Sequence, residues 1–298
     1  MIVTVLGATG KTGGAVATRL LAAGVKVKAV ARSADKLAAL QKRGAQAIEA
    51  DVGDAAALTE ALRGSDAAYL MIPGDYTKPD LLGQYRRAAE AIDRAVRDAG
   101  LRRAVFLSSL GGEAAAGTGP IVGLHDAEER LRAIANTGLA LLILRPAYFY
   151  ENSYGTLGLI KHQGINGGAI EPGVPMPTIA AADIGNVAAD ALLKSDFSGV
   201  VVRELTGPRD LTMAEVTGLL GKAIGKPDLP YVRFPDEGYV AGLESAGFSP
   251  DAARLFLEMA TAFNKGLVGR QPGNEKVKTS TSFESFADGY AQAYRAAP

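Results

Sequence analysis

The 298-residue chain contains no cysteine, which excludes disulfides, thiolate nucleophiles and thiol redox sensing together. Any redox role must therefore use a bound cofactor. Histidine is almost as scarce: only His125 and His162 occur, they are not spaced as metal ligands, and no metal site is expected. Charge of neither sign prevails, since 32 Lys+Arg balance 32 Asp+Glu, so no global field favours nucleic acid or an anionic membrane. No run of about 18 apolar residues occurs and no basic segment precedes the apolar run at residue 2, so neither a membrane span nor a signal peptide is expected. A soluble cytoplasmic protein is the default. The rest of the composition, 48% hydrophobic and 21% charged, is that of an ordinary globular chain with room for a main domain and a smaller companion.

What is present begins at the N-terminus. Ile2-Val3-Thr4-Val5-Leu6 reads as a buried strand that runs into Gly7-Ala8-Thr9-Gly10-Lys11-Thr12-Gly13-Gly14, and an amphipathic stretch from Ala15 to Ala23 follows. Strand, Gly-x-x-Gly-x-x-Gly and helix in that order meet the needs of a dinucleotide pyrophosphate. Gly7 makes the tight turn, Gly10 lets backbone approach phosphate, and Gly13 lets the helix pack on the strand. The helix N-terminus adds free N–H groups and a positive dipole end, so Thr9, Lys11 and Thr12 are expected to border the anion. Gly10-Lys11-Thr12 also ends like a P-loop, but the first glycine of that motif would fall on Val5, inside the strand. Glycines that serve only strand–helix packing are the remaining alternative.

Residues 1–150 alternate short Val/Ile/Leu-rich runs with longer helical patterns, the rhythm of a parallel sheet with crossover helices. Strands are expected near 2–6, 26–31, 46–49, 67–72, 103–108 and 139–144, with helix starts marked by Ser33 and Asp54. After Arg145-Pro146 the rhythm breaks, and residues 151–180 are dense in glycine and proline. A helix over 183–194, a strand over 200–206 and a helix opened by the capping box Thr212-x-x-Glu215 then resume it, and a second box is expected at Thr281-x-x-Glu284. The fold class is α/β: a Rossmann doubly wound parallel sheet with a smaller, mostly irregular and helical second domain. Residues 1–150 and 183–225 would form the dinucleotide-binding domain, and 151–182 with 226–298 the substrate-binding one.

At the end of the second strand a NAD site would place Asp or Glu on the ribose 2′-hydroxyl, whereas this chain reads Ala31-Arg32-Ser33. Arg32 offers a planar fork of donors to a 2′-phosphate, Ser33 adds a hydroxyl, and Lys36 lies one turn into the following helix. NADP(H) is therefore expected over NAD(H), the alternative being that Arg32 and Lys36 are the solvated start of a surface helix. Asp51-Val52, after the third strand, either holds the adenine edge or caps the next element.

Gly-Ala-Thr-Gly-Lys-Thr-Gly at 7–13, Ala-Arg-Ser at 31–33, Ser-Ser at 108–109 and Leu-Arg-Pro-Ala-Tyr-Phe-Tyr-Glu-Asn at 144–152 together carry a resemblance. The chain resembles the NmrA-like family of atypical short-chain dehydrogenases/reductases, over most of its length and most strongly over 1–152. The resemblance implies NAD(P)H binding, either reduction of quinones or dyes or redox sensing without catalysis, and a place beside the nicotinamide for Phe149 and Asn152. Ordinary short-chain dehydrogenases pair a Tyr acid/base with a Lys four residues later. Here no Tyr-x-x-x-Lys occurs, and no lysine at all lies between Lys78 and Lys161. Where the tyrosine would be expected stands His125, in a glycine-rich stretch before a charged helix, with Glu129 four residues on.

Hydride transfer survives that loss, because a quinone or cationic dye accepts hydride at an electron-poor centre and needs no strong acid. His125 is then the candidate catalytic proton donor, since imidazole changes charge near neutral pH; a surface or capping role is the alternative. His162 is expected to be structural or solvent-facing. Met71-Ile72-Pro73-Gly74 and Ser108-Ser109-Leu110-Gly111-Gly112 end the fourth and fifth strands, where open α/β sheets hold ligands. Tyr148, Phe149, Tyr150, Asn152 and Tyr154 follow the sixth, either stacking on a flat acceptor or packing a domain junction. Met71, Pro73, Ser108 and Phe149 are thus expected at the cofactor, and Gly111, His125, Tyr148, Phe149, Asn152 and Tyr154 at a small-molecule substrate. Two functions remain: an NADPH-dependent reductase of a small planar acceptor such as a quinone, or a non-catalytic NADP(H) sensor that signals to a protein partner.

Overall fold

The computed structural model describes residues 1–297. Through the first 146 residues strand and helix alternate: β1 (Ile2–Val5), α1 (Lys11–Ala22), β2 (Lys26–Ala31), α2 (Ala38–Gln41), β3 (Gln46–Glu49), α3 (Ala55–Leu62), β4 (Ala67–Leu70), α4 (Leu81–Asp98), β5 (Arg103–Leu107), α5 (Ile121–Ala135) and β6 (Ala140–Pro146). Short elements follow, β7 (Tyr148–Phe149), α6 (Leu157–Gln163), β8 (Asn166–Gly168) and β9 (Thr178–Ile179), before α7 (Ala181–Lys194) and β10 (Val200–Thr206). The last third holds α8 (Met213–Ala223), β11 (Tyr231–Arg233), α9 (Asp236–Ser245), α10 (Pro250–Asn264), β12 (Glu275–Lys278) and α11 (Phe283–Ala296).

Eight strands, all parallel, form one sheet in the order β12-β10-β6-β5-β4-β1-β2-β3. Helices cover both faces, so the central strands bury both sets of side chains and read as unbroken apolar runs. Val16, Ala17 and Leu20 of α1 pack with Ile184, Ala188 and Leu192 of α7 on one face. Leu58 and Leu62 of α3, Ile92 and Val96 of α4 and Leu131 of α5 fill the other. Each such side chain contributes about 1.5–3 kcal/mol of transfer free energy when fully buried. The order reverses between β1 and β4, and the crevice beyond their carboxyl ends is where this sheet type holds ligands.

Local signals at helix ends hold in part. Asp54 caps α3, its Oδ1 accepting from the N–H groups of Ala56 and Ala57 at 3.0 Å, and Thr212 with Glu215 closes the expected box. The box at Thr281 and Glu284 does not form. Thr281 donates its hydroxyl to the Asp183 carboxylate at 2.8 Å, a stronger acceptor than any backbone group, and Ser282 caps α11 instead. Ser33 precedes a 3₁₀ turn over Ala34–Leu37 without a side-chain cap, and the fourth strand stops at Leu70, not at residue 72.

The smaller elements are tied across the chain. β8 pairs with β11, joining 166–168 to 231–233, and β7 pairs with β9. One strand of the 226–298 stretch, β12, extends the main sheet beside β10. Among the described residues no helix is long and apolar enough to cross a membrane, and no group of His, Asp and Glu is placed to hold a metal.

Candidate functional site

The glycine turn sits at the reversal point of the sheet. Gly7 has φ +62°, the left-handed region where a Cβ clashes with backbone, and a Cβ on Gly13 would stand 2.4 Å from the Gly7 carbonyl oxygen. Gly10 N–H donates to Gly7 O at 2.8 Å and closes the turn. α1 starts at Lys11 with no side-chain cap and no acid in its first turn, so its leading N–H groups remain open to an anion. Thr9 is exposed at the turn, whereas Thr12 is buried and its hydroxyl accepts from Tyr69 at 3.0 Å. Burial raises the Tyr69 pKa further than the Thr12 contact lowers it, so the phenol stays a donor. Met71 lies against Gly7 from the end of β4.

Beside the turn opens a cleft of about 620 Å³, and it brings together Arg32, Asp51, Val52 and Pro73. Arg32 is exposed and makes no hydrogen bond or ion pair among the described residues, which leaves its five donors free. Asp51 spends one oxygen on the Gly53 N–H at 2.8 Å and keeps the other. Ser33 is half-buried and Lys36 exposed in the turn that follows. Gly74, expected at this strand end, lines the opposite wall with four residues that no sequence pattern marked, Asp75, Lys78, Gln84 and Arg87. Gln84 shapes it by donating to the carbonyls of Asp75, Lys78 and Pro79 at 3.1–3.2 Å.

At the ends of β5 and β6 lies a buried ionic cluster that no local pattern announced. Arg145, on β6, donates from Nε and Nη2 to Glu128 Oε1 and Oε2 at 2.9 and 2.6 Å, and from Nη1 to Glu113 Oε2 at 2.9 Å. Burial works against the Arg145 charge, but the Glu128 and Glu113 carboxylates outweigh it and raise its pKa. Ser108 donates its hydroxyl to Glu128 at 2.5 Å, so it is engaged in holding the strand end. Gln271 bridges outward, donating from its side chain to Glu113 and from its backbone to Glu204, both at 2.7 Å. The one available sign was a charge within the apolar run Leu141 to Pro146.

His125 lies inside α5, one turn past its start, and not in the loop before it, because Pro120 and Ile121 already open the helix. Its Nδ1 is 3.0 Å from the Gly112 carbonyl oxygen. That oxygen can only accept, so Nδ1 carries the proton and Nε2 donates only when the ring is cationic. Gly111 is buried against Val268 and Ile121. His162 is exposed at the end of α6.

The aromatic residues after β6 divide. Tyr148 is half-buried, meets Phe263 edge-on at 5.8 Å, and has its pKa raised by burial, against which the nearby Asn152 side chain works. Tyr231 and Tyr239, from β11 and α9, also have pKa values raised, by burial first and by the proximity of Tyr148 next. The three phenols therefore stay protonated at neutral pH. Phe149 is half-buried on β7 and Asn152 exposed. Tyr150 is buried, donates to the Thr281 carbonyl at 3.1 Å and packs on Phe283. Tyr154 packs on the same helix, and its ring also lies 4.5 Å from the Lys11 ammonium.

Residues 7–195 match the family described as NAD(P)H-binding, a span running from the first glycine of the turn through α7. A curated relative from Streptomyces griseus, (4-alkanoyl-5-oxo-2,5-dihydrofuran-3-yl)methyl phosphate reductase, is 30% identical over 87% of this chain and 86% of its own length. The chain is an NmrA-like member of the NAD(P)H-binding family. This NmrA-like protein is also 27% identical to an NAD(P)H azoreductase of Xenophilus azovorans, over 99% of the chain and all of the relative. Its fold matches the NADPH-dependent quinone oxidoreductase of Escherichia coli solved with NADPH, at TM-score 0.75 and 24% identity, covering 97% and 99% of the two chains.

Proposed function

We propose that this protein is an NADPH-dependent reductase that delivers hydride to a small, flat, electron-poor acceptor such as a quinone. The observation that carries the reading is the pairing of two features. An unpartnered Arg32 faces the cleft beside the glycine turn, and protonated phenols without a lysine stand beyond the strand ends. The open N-terminus of α1, packed close on the turn because Gly13 has no side chain, suits a pyrophosphate, and the Arg32 fork suits a 2′-phosphate over a bare hydroxyl. When bound, NADPH supplies the hydride. The chain's own residues hold the acceptor flat against aromatic faces and offer neutral hydrogen-bond donors, while the proton comes from water or from cationic His125. Deprotonating an alcohol asks for a phenol with a lowered pKa, and burial moves these the wrong way.

The quinone, azo compound and acyl-dihydrofuranone of the relatives are conjugated systems of this electron-poor kind, which supports the same acceptor class here. In this reading residues 1–150 with 183–225 hold the cofactor, and 151–182 with 226–298 admit the acceptor. The test is a titration with NADPH and NADH, followed by loss of NADPH absorbance with a panel of quinones, azo compounds and dyes. NADPH binding tighter than NADH, with turnover of at least one acceptor, is the expected result. Tight binding without turnover of any acceptor would overturn the reductase and favour the redox sensor, whose support is the missing Tyr-Lys pair.

A further inference from the structure

Lys11 is the first residue of α1 and follows the Gly10 cap directly. Its ammonium donates no hydrogen bond among the described residues and lies over the Tyr154 ring, 4.5 Å from the centroid. Tyr154 is braced from behind. It meets Phe286 edge-on at 5.6 Å and Tyr290 at 5.4 Å, both on α11, and Tyr290 is fully buried. The segment that carries Tyr154 is pinned as well, since both Glu151 oxygens accept from the Ala181 N–H of α7, at 3.0 and 3.1 Å. Glu151 is thereby committed to a helix cap and does not capture the lysine in an ion pair, although its charge offsets part of the pKa lowering that burial imposes on Lys11.

A free lysine stem loses rotamer freedom when its ammonium docks on a phosphate, and that loss weakens the contact. An aromatic face restrains the ammonium in advance without consuming an acceptor site, so its N–H donors stay available to an anion. We propose that Tyr154 is a positioning residue: its ring, braced by α11, holds Lys11 at the pyrophosphate end of the glycine turn, so that the C-terminal helix sets cofactor affinity. The proposal rests on Lys11 being a pyrophosphate ligand, as the proposed function has it.

The test measures NADPH affinity by calorimetry on the full chain, for Tyr154→Phe, Tyr154→Leu, Lys11→Met and the Lys11→Met/Tyr154→Leu double variant. Tyr154→Phe keeps the ring and should bind as the parent does, while Tyr154→Leu should bind about five-fold more weakly. The double variant should be no weaker than Lys11→Met alone, because both changes remove one interaction. Replacing Tyr154 with phenylalanines carrying successive ring fluorines preserves the packing and drains the negative ring face. Affinity should then fall stepwise, and in a Lys11→Met background it should not change. Parent-like binding by Tyr154→Leu, additive losses in the double variant, or no response to fluorination would each overturn the proposal. NADPH binding unchanged in Lys11→Met would overturn it while leaving the cofactor reading standing, whereas a parent that binds no NADPH would end both.

Discussion

Arg145→Met is the substitution to which this fold should be most sensitive. Glu128 is 1% exposed and Arg145 5%, and the two share a bidentate contact at 2.6 and 2.9 Å. Without the guanidinium, Glu128 keeps only the Ser108 hydroxyl at 2.5 Å and Arg132 Nη2 at 3.4 Å, the latter from a half-exposed side chain. Removing one partner of a buried pair costs about 3–5 kcal/mol, because a desolvated charge stays behind uncompensated. For 298 residues, an unfolding entropy of about 2.1 cal/mol/K per residue gives about 0.6 kcal/mol/K, so Tm should fall by about 5–8 °C. Adding Glu128→Leu removes the stranded charge and should recover part of the loss. Calorimetric melts of the parent, the single variants and the double variant decide the matter. A single variant within about 2 °C of the parent, or a double variant that loses the sum of the two, would refute the reasoning.

Three further outcomes are expected. Arg32→Asp places a carboxylate where the 2′-phosphate would lie and should weaken NADPH about ten- to hundred-fold while sparing NADH; equal losses for both cofactors in a binding titration would show that Arg32 is not the selector. Gly13→Ala drives a Cβ to 2.4 Å from the Gly7 carbonyl oxygen, so it should cost about 1–3 kcal/mol and most of the NADPH affinity, whereas Gly14→Ala, whose Cβ would lie 3.3 Å from Ala8 O, should change both far less. The Thr212 N–H, ahead of Arg209, holds Glu215 below its ordinary pKa of 4.5. A depressed folded pKa means the stabilisation is present above that value and is lost as pH falls through the folded one. Melting curves against pH should therefore show a shallower acid limb in Glu215→Gln than in the parent, and parallel limbs would count against the cap as the cause.

Much of the first half was readable because its physics is local. A strand covered on both faces must be apolar throughout, so Val3, Val5, Tyr69, Leu70, Val105 and Phe106 announce β1, β4 and β5 by composition. Asp54 and Thr212 announce their helices because a cap bonds its own next turn. The same reasoning failed at Thr281, whose hydroxyl found Asp183 of another helix, and at His125, where the first turn of α5 began earlier than its charged residues suggested. Tyr154 carried no local mark of whether it faces an acceptor or a lysine, since that depends on where α11 packs.

The glycine turn itself belongs to the sequence: a left-handed Gly7 and a side-chain-free Gly13 are demanded by backbone sterics within seven residues, and no distant partner is needed to make that place fit an anion. Which groups meet from distant parts of the chain was decided by tertiary structure. Arg145 with Glu128 and Glu113, and Lys11 under Tyr154, are pairings between separate parts of the chain. Burial and charge choose such partners only once the sheet has brought its strand ends together.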